Sequence, residues 1–332
     1  MHKRIDALLG AVLLLSSASA QDPEFSQFYA APVYLNPAFA GTTVQPKIHL
    51  NFRDQWPAIS NAYVTMAVSY DQYFESFNSG LGVQLVADRA GGGIYSTYTA
   101  VGVYSYQADV SDEFAFKAGL HAGIGQKRLD LSKVYFYDQI NPITGFTDPG
   151  NNINPTGESS NIRSSLIHAE LGAGLLAYSR VFFLGIAARH LNQPIETFRH
   201  DYTARLPMRI AAHAGAALPM GSSRSDVTLA PNVLYTQQAS FRQMNAGTYL
   251  KVGAVLGGAW LRHDFSNIDA VILLVGTQLG VFRGAYSYDM TLSDLRSQSG
   301  GAHELSITLN FEELPGAKKT SSYKSLRCPA ML

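Results

Sequence analysis

Cysteine and charge are both scarce in this chain of 332 residues. Its single cysteine, Cys328, excludes an intramolecular disulfide, so the fold must depend on other interactions. Lys and Arg together number 25, as do Asp and Glu, and this zero net charge gives no electrostatic basis for nucleic-acid binding. Charged residues make up 15% of the chain, whereas soluble globular proteins have about 25%. Either something other than charge keeps this protein in solution, or it does not lie in solution.

Long apolar runs are also missing from the sequence after residue 20. The longest, 270–275, has only six residues. A membrane-spanning helix needs about 20 apolar residues, so helical spans are excluded. A soluble β-rich domain and a membrane barrel remain as possible folds.

The first 20 residues have the composition of an export signal. Basic residues at 2–4 precede the apolar run 7–15, and small residues then lead to Ala18 and Ala20. This pattern predicts a secretory signal peptide over residues 1–20, with cleavage before Gln21. An N-terminal membrane anchor is the alternative, although the run of nine apolar residues is too short to span a bilayer.

Alternation of apolar and polar residues is the main pattern in the rest of the chain. In the segment 303–312, Leu305 and Ile307 alternate with Glu304 and Ser306, which is the period of a β-strand. Each such segment has one apolar face and one face of polar residues or glycine, as the strands of outer-membrane barrels do. Fourteen strands are predicted, near 46–54, 62–74, 80–88, 94–108, 113–128, 165–178, 181–190, 205–219, 226–237, 242–252, 255–264, 268–278, 281–290 and 303–312.

The predicted connections alternate in length. Those after even-numbered strands are mostly tight, whereas those after odd-numbered strands include 129–164, 191–204 and 291–302. Outer-membrane barrels have this asymmetry between short periplasmic turns and long extracellular loops. The sequence therefore predicts an all-β transmembrane outer-membrane β-barrel of about 14 antiparallel strands, with a soluble β-sandwich as the alternative. An even strand number places both termini on one side, which is periplasmic if the short turns are.

The barrel is predicted to span 46–312, with one segment before it and one after it. Residues 21–45 contain too much Pro and Gly for a helix, and Pro lacks the N–H of a strand ladder. We expect an ordered periplasmic N-terminal segment that plugs the lumen or binds a partner. Residues 313–332 are expected to form a polar periplasmic tail that contacts a partner, with a disordered tail as the alternative. The residues of the N-terminal segment expected to serve as plug or partner contacts are Phe25, Phe28, Tyr29, Tyr34, Asn36, Pro37, Phe39 and Gly41.

Charged residues of both signs fall on the predicted inner face of the barrel. Mixed charges can form ion pairs across a plugged lumen, or they can simply pair with neighbours or be hydrated. No transported solute is predicted from them. These polar lumen candidates are Asp71, Lys117, Glu170, Arg189, Arg209, Arg283, Asp289 and Glu304.

The longest connection, 129–164, is rich in Asn, Pro, Gly and Asp. Such a composition forms turns rather than helices or strands. Its length is consistent with a surface lid or contact site, and equally with a tolerated exposed loop.

No catalytic, cofactor-binding or metal-binding pattern is found in the sequence. Histidines form neither a His-x-x-x-His nor an HExxH pair, and no GxSxG motif identifies a nucleophile. Some outer-membrane barrels are hydrolases, so His121, His168, His190 and His213 were considered as catalytic bases. Histidines that face the lumen and are hydrogen-bonded there are a better interpretation than catalytic bases. We therefore expect no enzyme activity and no cofactor.

Several stretches, in order, resemble one known family. They are FSQFY and YLNPAFAG in 25–41, FRDQWP at 52–57, GLGVQLVADRAGG from Gly80, HAELGAGLLAYSRVFFLGIAARHLNQP at 168–194, GAWLR from Gly258, YSYD from Tyr286 and AHELS from Ala302. Together they cover nearly all of the chain after residue 20, and they resemble the PorP/SprF family of the type IX secretion system.

The resemblance implies a non-enzymatic outer-membrane component of the type IX secretion or gliding machinery in a Bacteroidetes-like bacterium. It also implies partners: adhesin-like secreted cargo, periplasmic secretion-ring proteins and peptidoglycan-linked proteins, together with outer-membrane lipid. Cys328 and Pro329 resemble a family ending and are expected to be a docking element. A general or substrate-specific porin is the alternative function.

Overall fold

The computed structural model describes residues 21–59, 63–147, 152–220, 227–292, 299–311 and 328–329. The predicted signal peptide lies outside the described residues. The predicted C-terminal tail also lies outside them, apart from Cys328 and Pro329.

The described residues form a single closed antiparallel β-sheet. Its strands are β1 (Lys47–Gln55), β2 (Tyr63–Phe74), β3 (Ser79–Ala90), β4 (Tyr95–Ser111), β5 (Phe114–Leu129), β6 (Ser165–Ser179), β7 (Phe182–Arg189), β8 (Arg209–Ala216), β9 (Leu218–Met220), β10 (Val227–Gln238), β11 (Phe241–Val252), β12 (Val255–His263), β13 (Ile268–Leu279), β14 (Phe282–Thr291) and β15 (Ala302–Asn310). Each strand pairs with the next along the chain, except that β8 pairs with β10 rather than with β9, and β15 pairs back onto β1 to close the ring. β8 and β9 both pair with β10, so they are two parts of one barrel strand. We call each complete barrel strand a stave, and the 15 strand segments of the sheet make fourteen staves. The predicted barrel is confirmed.

The eighth stave departs most from its predicted bounds. The sequence pattern places it near 205–219, whereas the structure begins it at Arg209 and interrupts it after Ala216. Pro207 has no N–H to donate, and the N–H of Leu206 is bonded 2.8 Å from the carbonyl of Pro194 within the preceding connection. The ladder therefore cannot begin before Arg209.

The two faces of the barrel have the reverse of the polarity expected in water. On the outer face Leu85, Leu120 and Leu184 are 56%, 58% and 61% exposed. On the inner face Asp71 and Lys117 are fully buried. Removing one such leucine from water is worth about 1.5–3 kcal/mol, so this outer face is suited to an apolar solvent rather than to water. The soluble sandwich is excluded, because it would bury these leucines between two sheets.

The two rims of the barrel differ in their connections. At the rim where β1 begins, called the short-turn rim, pairs of residues at 112–113, 180–181, 253–254 and 280–281 join neighbouring strands. At the opposite rim, called the long-loop rim, the connections after β5 and β7 are long. These two connections contact each other: Arg163 N donates to the carbonyl of Phe198 at 2.8 Å, and His200 N donates to that of Asn161 at 3.2 Å. They form one joined platform.

Helices are few and short in the described residues. The structure has one α-helical turn, α1 (Pro32–Leu35), and 3₁₀ turns at Phe28–Ala30, Pro37–Phe39, Glu75–Phe77, Gly91–Gly93, Leu131–Lys133, Tyr137–Gln139 and Glu158–Asn161. None of the described helices is both long and apolar enough to cross a membrane.

Residues 21–41, called the lumen segment below, run through the interior of the barrel. At one end, Asp22 Oδ2 lies 2.6 Å from Nε2 of His190, which follows β7 at the long-loop rim. At the other end, Gly41 N donates to Asp71 Oδ2 at 2.7 Å, near the short-turn end of β2. The sequence places both ends of the exported chain on one side of the barrel. The staves do begin and end at one rim, but Asp22 lies at the opposite rim because the lumen segment extends through the full depth.

Candidate functional site: the segment inside the barrel

The aromatic residues of the lumen segment pack together inside the barrel. Phe25, Phe28, Tyr29, Tyr34 and Phe39 are all buried. The ring of Tyr29 meets that of Phe183 on β7 edge to face, with centroids 5.3 Å apart, and lies 6.4 Å from that of Phe39. Pro32 and Pro37 begin two of the three helical turns of the segment, where their missing N–H has no intrahelical partner to lose. Proline and aromatic residues therefore fold this segment compactly without a strand ladder.

A buried charge cluster holds the segment at Ser26. The Ser26 hydroxyl donates to Asp289 Oδ2 at 2.6 Å and accepts from the guanidinium groups of Arg53 and Arg262, each at 2.6 Å. Ser26 N also donates to Glu304 Oε2 at 2.7 Å. Arg53 bonds both carboxylates, at 2.9 Å to Asp289 and 3.1 Å to Glu304. Four charged side chains from β1, β12, β14 and β15 thus neutralise one another around one hydroxyl.

Gln27 extends this cluster along β15. Its backbone N–H donates to Glu304 Oε1 at 2.9 Å. Its side-chain amide donates to Ser287 Oγ at 3.0 Å and accepts from Ser306 Oγ at 2.6 Å. With both the donor and the acceptor of this buried amide paired, Gln27 fixes the register of the segment against the wall.

Asp22 and Glu24 hold the segment at the long-loop rim. His190 bridges Asp22 and Glu170, through Nε2 at 2.6 Å and Nδ1 at 2.8 Å. Glu24 accepts from Arg209 at 2.9 Å, and also from Gln243. Burial favours the neutral carboxyl of Asp22, but the charge of His190 and the arginines nearby hold its pKa well below the usual range. The rim contact is therefore an ion pair.

Asn36 is the polar centre of the NPAF turn. Its side-chain oxygen accepts from Ala38 N at 2.9 Å and so caps the 3₁₀ turn Pro37–Phe39. Its amide nitrogen donates to the carbonyl of Leu175 at 3.0 Å and lies 3.1 Å from Nε2 of His213. Because the amide nitrogen only donates, Nε2 of His213 is the acceptor.

Lumen-facing glycines make room for this turn. A Cβ on Gly119 would lie 2.2 Å from Ala38 N, and one on Gly174 would lie 2.0 Å from Asn36 Oδ1. Gly119 and Gly174 are cross-strand partners on β5 and β6. This glycine pair lets the backbone of the lumen segment approach the wall more closely than any side chain would permit.

Lys117 and Asp71 hold the segment at the short-turn rim. Lys117 Nζ donates to the carbonyls of Ala40 and Gly41 at 2.7 and 2.8 Å. Gly41 has a positive φ of 62°, and its N–H donates to Asp71. Lys117 and Asp71 therefore bind the carbonyl and the N–H of the same peptide bond, the one between Ala40 and Gly41.

The structure places all eight polar lumen candidates on the inner face. Besides the residues described above, Arg189 covers the ring of Tyr34, with its guanidinium carbon 4.4 Å from the ring centroid. Arg283 lines a cavity of about 60 Å³ beside the lumen segment, together with His49 and Pro329. Cys328 is buried in the same core cluster as Phe28 and Tyr29. Partner binding by Cys328 and Pro329 stays a prediction.

Several residues that anchor the segment were missed from the sequence. The aromatic and proline pattern does not single out Asp22, Glu24, Ser26 and Gln27, and the predicted inner-face residues do not include Arg262. Arg53 entered only through the FRDQWP stretch. Polar residues at fixed places inside an otherwise aromatic and proline-rich segment were the available signal, since such residues need buried partners.

Among the residues that the structure describes, no group of three or more His, Cys, Asp or Glu side chains is placed to hold a metal ion. Each of the four histidines considered as bases lies beside another polar side chain. His121 and His168 lie 3.5 and 3.9 Å from Glu170, which His190 also contacts, and His213 contacts Asn36. The arrangement is suited to holding a segment in place.

Comparison with solved structures finds barrels of low sequence identity. The toluene transporter TbuX of Ralstonia pickettii is 9% identical with a TM-score of 0.47, and the match covers 84% of this chain and 91% of that one. A triple-mutant porin of Rhodopseudomonas blastica is 9% identical with a TM-score of 0.33, covering 80% and 98%. BamA of Haemophilus ducreyi is 10% identical with a TM-score of 0.39, covering 80% and 70%. None of these likenesses bears on function.

Comparison of the sequence itself is more decisive. No curated protein matches this chain. The model of the family described as "Type IX secretion system membrane protein PorP/SprF" matches residues 17–309, which is most of the chain. The chain therefore belongs to the PorP/SprF family of type IX secretion system membrane proteins, as the sequence resemblance predicted.

Proposed function

We propose that this protein is a non-enzymatic outer-membrane component of the type IX machinery that supports export or surface attachment of large secreted proteins such as adhesins. Membership of the PorP/SprF family supports the assignment to this machinery. The lumen segment supports a scaffold rather than a solute channel. It runs through the barrel from rim to rim, held by an ion pair at Asp22 and by hydrogen bonds to buried charged side chains at Ser26 and Gly41.

The free-energy cost of withdrawing the lumen segment is the physical reason for preferring a scaffold to a solute channel. A buried carboxylate or guanidinium that loses its partner is destabilised by about 3–5 kcal/mol. Withdrawing the lumen segment would remove the Ser26 and Gln27 donors from the carboxylates of Asp289 and Glu304 and would leave Arg209 without Glu24. A general porin has no need of such an internal obstruction, whereas a protein that presents surfaces to partners benefits from a rigid barrel.

The orientation follows from the connections. Outer-membrane barrels keep short turns in the periplasm and long loops outside. The short-turn rim would then face the periplasmic ring and the peptidoglycan-linked partners. The platform of long connections would face outward, where secreted cargo is retained.

Exposed apolar side chains on the platform provide a contact surface for cargo. Tyr137 and Ile143 are 90% and 94% exposed, and Tyr202 on the neighbouring connection is also exposed. The connection that carries them is ordered by its own polar groups: Gln139 and Asn154 exchange side-chain to backbone bonds at 2.7 and 2.8 Å. Apolar groups held out on a structured loop are typical of interaction sites.

Deletion of the gene tests the proposal. We expect the deletion strain to lose large secreted proteins from its surface and the wild-type gene to restore them. A gene carrying both Tyr137→Ser and Ile143→Ser should restore them poorly, whereas Phe265→Ser, an exposed residue in the turn after β12 and outside the platform, should restore them fully. Unchanged surface proteins in the deletion strain would refute the proposal.

Planar-bilayer recording tests the porin alternative. The purified wild-type protein is expected to show no steady open conductance, and a variant that lacks residues 21–41 is expected to conduct. Steady conductance of the wild-type protein would favour the porin.

A further inference from the structure

The outer face of the barrel carries a groove near the long-loop rim that the proposed function does not use. Its volume is about 490 Å³, and its lining comes from β2, β3, β4 and β5 and from the two connections at 91–93 and 130–133. Its floor is apolar, with Val64, Met66 and Ala87 on the outward face. Met66 is half exposed, so this floor is open to whatever surrounds the barrel.

Two arginines flank the groove, on the strands at either side of β4. Arg89 on β3 and Arg128 on β5 both pair with Ser96 on β4, one from each side. Two strand spacings separate their Cα atoms by about 10 Å. Both side chains are exposed, and both belong to the lining of the same groove. Neither guanidinium makes an ion pair or a side-chain hydrogen bond with another part of the chain that the structure describes.

A third cation lies above the pair. Lys133 also lines the groove, and its Nζ donates to the carbonyl of Gly92 at 3.0 Å. It is partly neutralised by Asp130, whose carboxylate lies 3.6 Å away. The groove therefore has an excess of positive charge at its upper end and an apolar surface below.

Two guanidinium groups that line one groove attract an anion between them, because each is positively charged. Arginine forms paired N–H bonds with phosphate oxygens, so this pair suits a phosphate group. The apolar floor beneath them continues the outer face, which carries the exposed leucines described above. A ligand that fits both halves has an anionic phosphorylated head and hydrocarbon chains.

We propose that this groove is a binding site for a phosphorylated membrane lipid, with Arg89 and Arg128 on the phosphate and the acyl chains over Met66 and Ala87. The site needs only the membrane location of the barrel. The identity of the leaflet, the outer one, rests on the orientation given under the proposed function.

Native mass spectrometry of the purified full-length barrel in detergent tests this site. The probes are bisphosphorylated lipid A, the same lipid with both phosphates removed, and inorganic phosphate. We expect the phosphorylated lipid to remain bound where the dephosphorylated lipid does not. Arg89→Gln and Arg128→Gln should each lower its affinity about tenfold, since a charge-assisted hydrogen bond contributes about that much.

The control is Arg180→Gln, which changes an exposed arginine in a turn at the opposite rim and should leave lipid binding unchanged. Arg89→Lys should retain part of the affinity, because lysine keeps the charge but loses the paired geometry. Folding of each variant is checked by its gel migration before and after heating.

Equal retention of both lipids, or full retention by the double Gln variant, would overturn the proposal. Displacement of the lipid by millimolar inorganic phosphate would also overturn it, since the site would then bind free phosphate. The measurement uses purified protein, so its outcome is independent of whether the gene supports secretion.

Discussion

The hydroxyl of Ser26 donates a 2.6 Å hydrogen bond to the carboxylate of Asp289, across 263 positions of the sequence. This contact joins the lumen segment to β14 inside a closed barrel. The same oxygen accepts from Arg53 and Arg262, so one small side chain completes the pairing of two buried cations. The stability of the segment and that of the barrel wall are therefore coupled.

Ser26→Ala should destabilise the protein by about 2 kcal/mol. The substitution removes one donor and one acceptor from a cluster of charged groups, where each bond is worth about 1.5–3 kcal/mol. Urea unfolding in detergent micelles, followed by gel migration, measures the change. Ser132→Ala, in an exposed loop where the hydroxyl bonds only Asp130, is the control and should have no effect. Equal unfolding curves for the two variants would contradict this account.

Gly119→Ala should displace the NPAF turn from the wall. A Cβ there would lie 2.2 Å from Ala38 N, far inside contact distance, and overpacking typically costs about 1–3 kcal/mol. Limited proteolysis should cut the lumen segment faster in this variant, and the bilayer conductance should rise. Gly102→Ala is the matched control, since a Cβ there meets only the carbonyl of Ala122 at 3.9 Å. If both variants resist proteolysis equally, the glycine has no role in seating the turn.

Asn36→Asp should destabilise the protein more than Asn36→Ala. The change keeps the shape but turns a donor to the carbonyls of Leu175 and Ile186 into a carboxylate oxygen facing them. A buried acceptor without its donor costs about 1–3 kcal/mol, and a buried charge costs more. Urea unfolding measures both variants, and Asn267→Asp in an exposed turn is the control. A more stable Asp variant would show that Asn36 is not a donor here.

The contact of Asp22 with His190 should weaken in alkali. Burial alone would lower the pKa of His190, but the carboxylates of Asp22 and Glu170 outweigh burial and raise it above 6.5. The stabilisation from His190 is therefore complete below pH 6.5 and is lost as the pH rises through the raised value. Asp22 has a lowered pKa, so its contribution is present above pH 3.8 and is lost only in strong acid.

Hydrogen exchange of residues 21–25 measures this dependence. Protection should fall as the pH is raised from about 6.5 to 9, after correction for the intrinsic exchange rate. His190→Gln should show weak protection at every pH, and His200→Gln, in an exposed connection, should behave as wild type. A pH-independent wild-type profile would show that titration of His190 does not control this contact.

Sequence periodicity predicts the barrel well because the rule is local. Each stave needs only alternating residues, and the observed bounds of strands such as β2 and β6 differ from the predicted ones by one residue. The predicted start of the eighth stave was wrong, because Pro207 interrupts the ladder of hydrogen bonds that the apolar residues beside it favour.

The interior was harder to predict because its contacts are not local. The inward direction of Asp289 and Glu304 follows from alternation, but their shared partner Ser26 does not, since the pairing depends on how a segment folds inside the closed ring. Gly119 and Gly174 look like weak points of two strands until the turn that packs against them is known. The contact of Asp22 with His190 joins residues 168 positions apart.

Pairing of β1 with β15 encloses a segment that belongs to the same chain. Lys47, at the start of β1, pairs with Asn310 at the end of β15. The lumen segment ends at Gly41, shortly before β1 begins. A ring that closed first would have to be threaded afterwards by a chain carrying bulky aromatic groups past buried charges. Closing the sheet around the lumen segment avoids this threading.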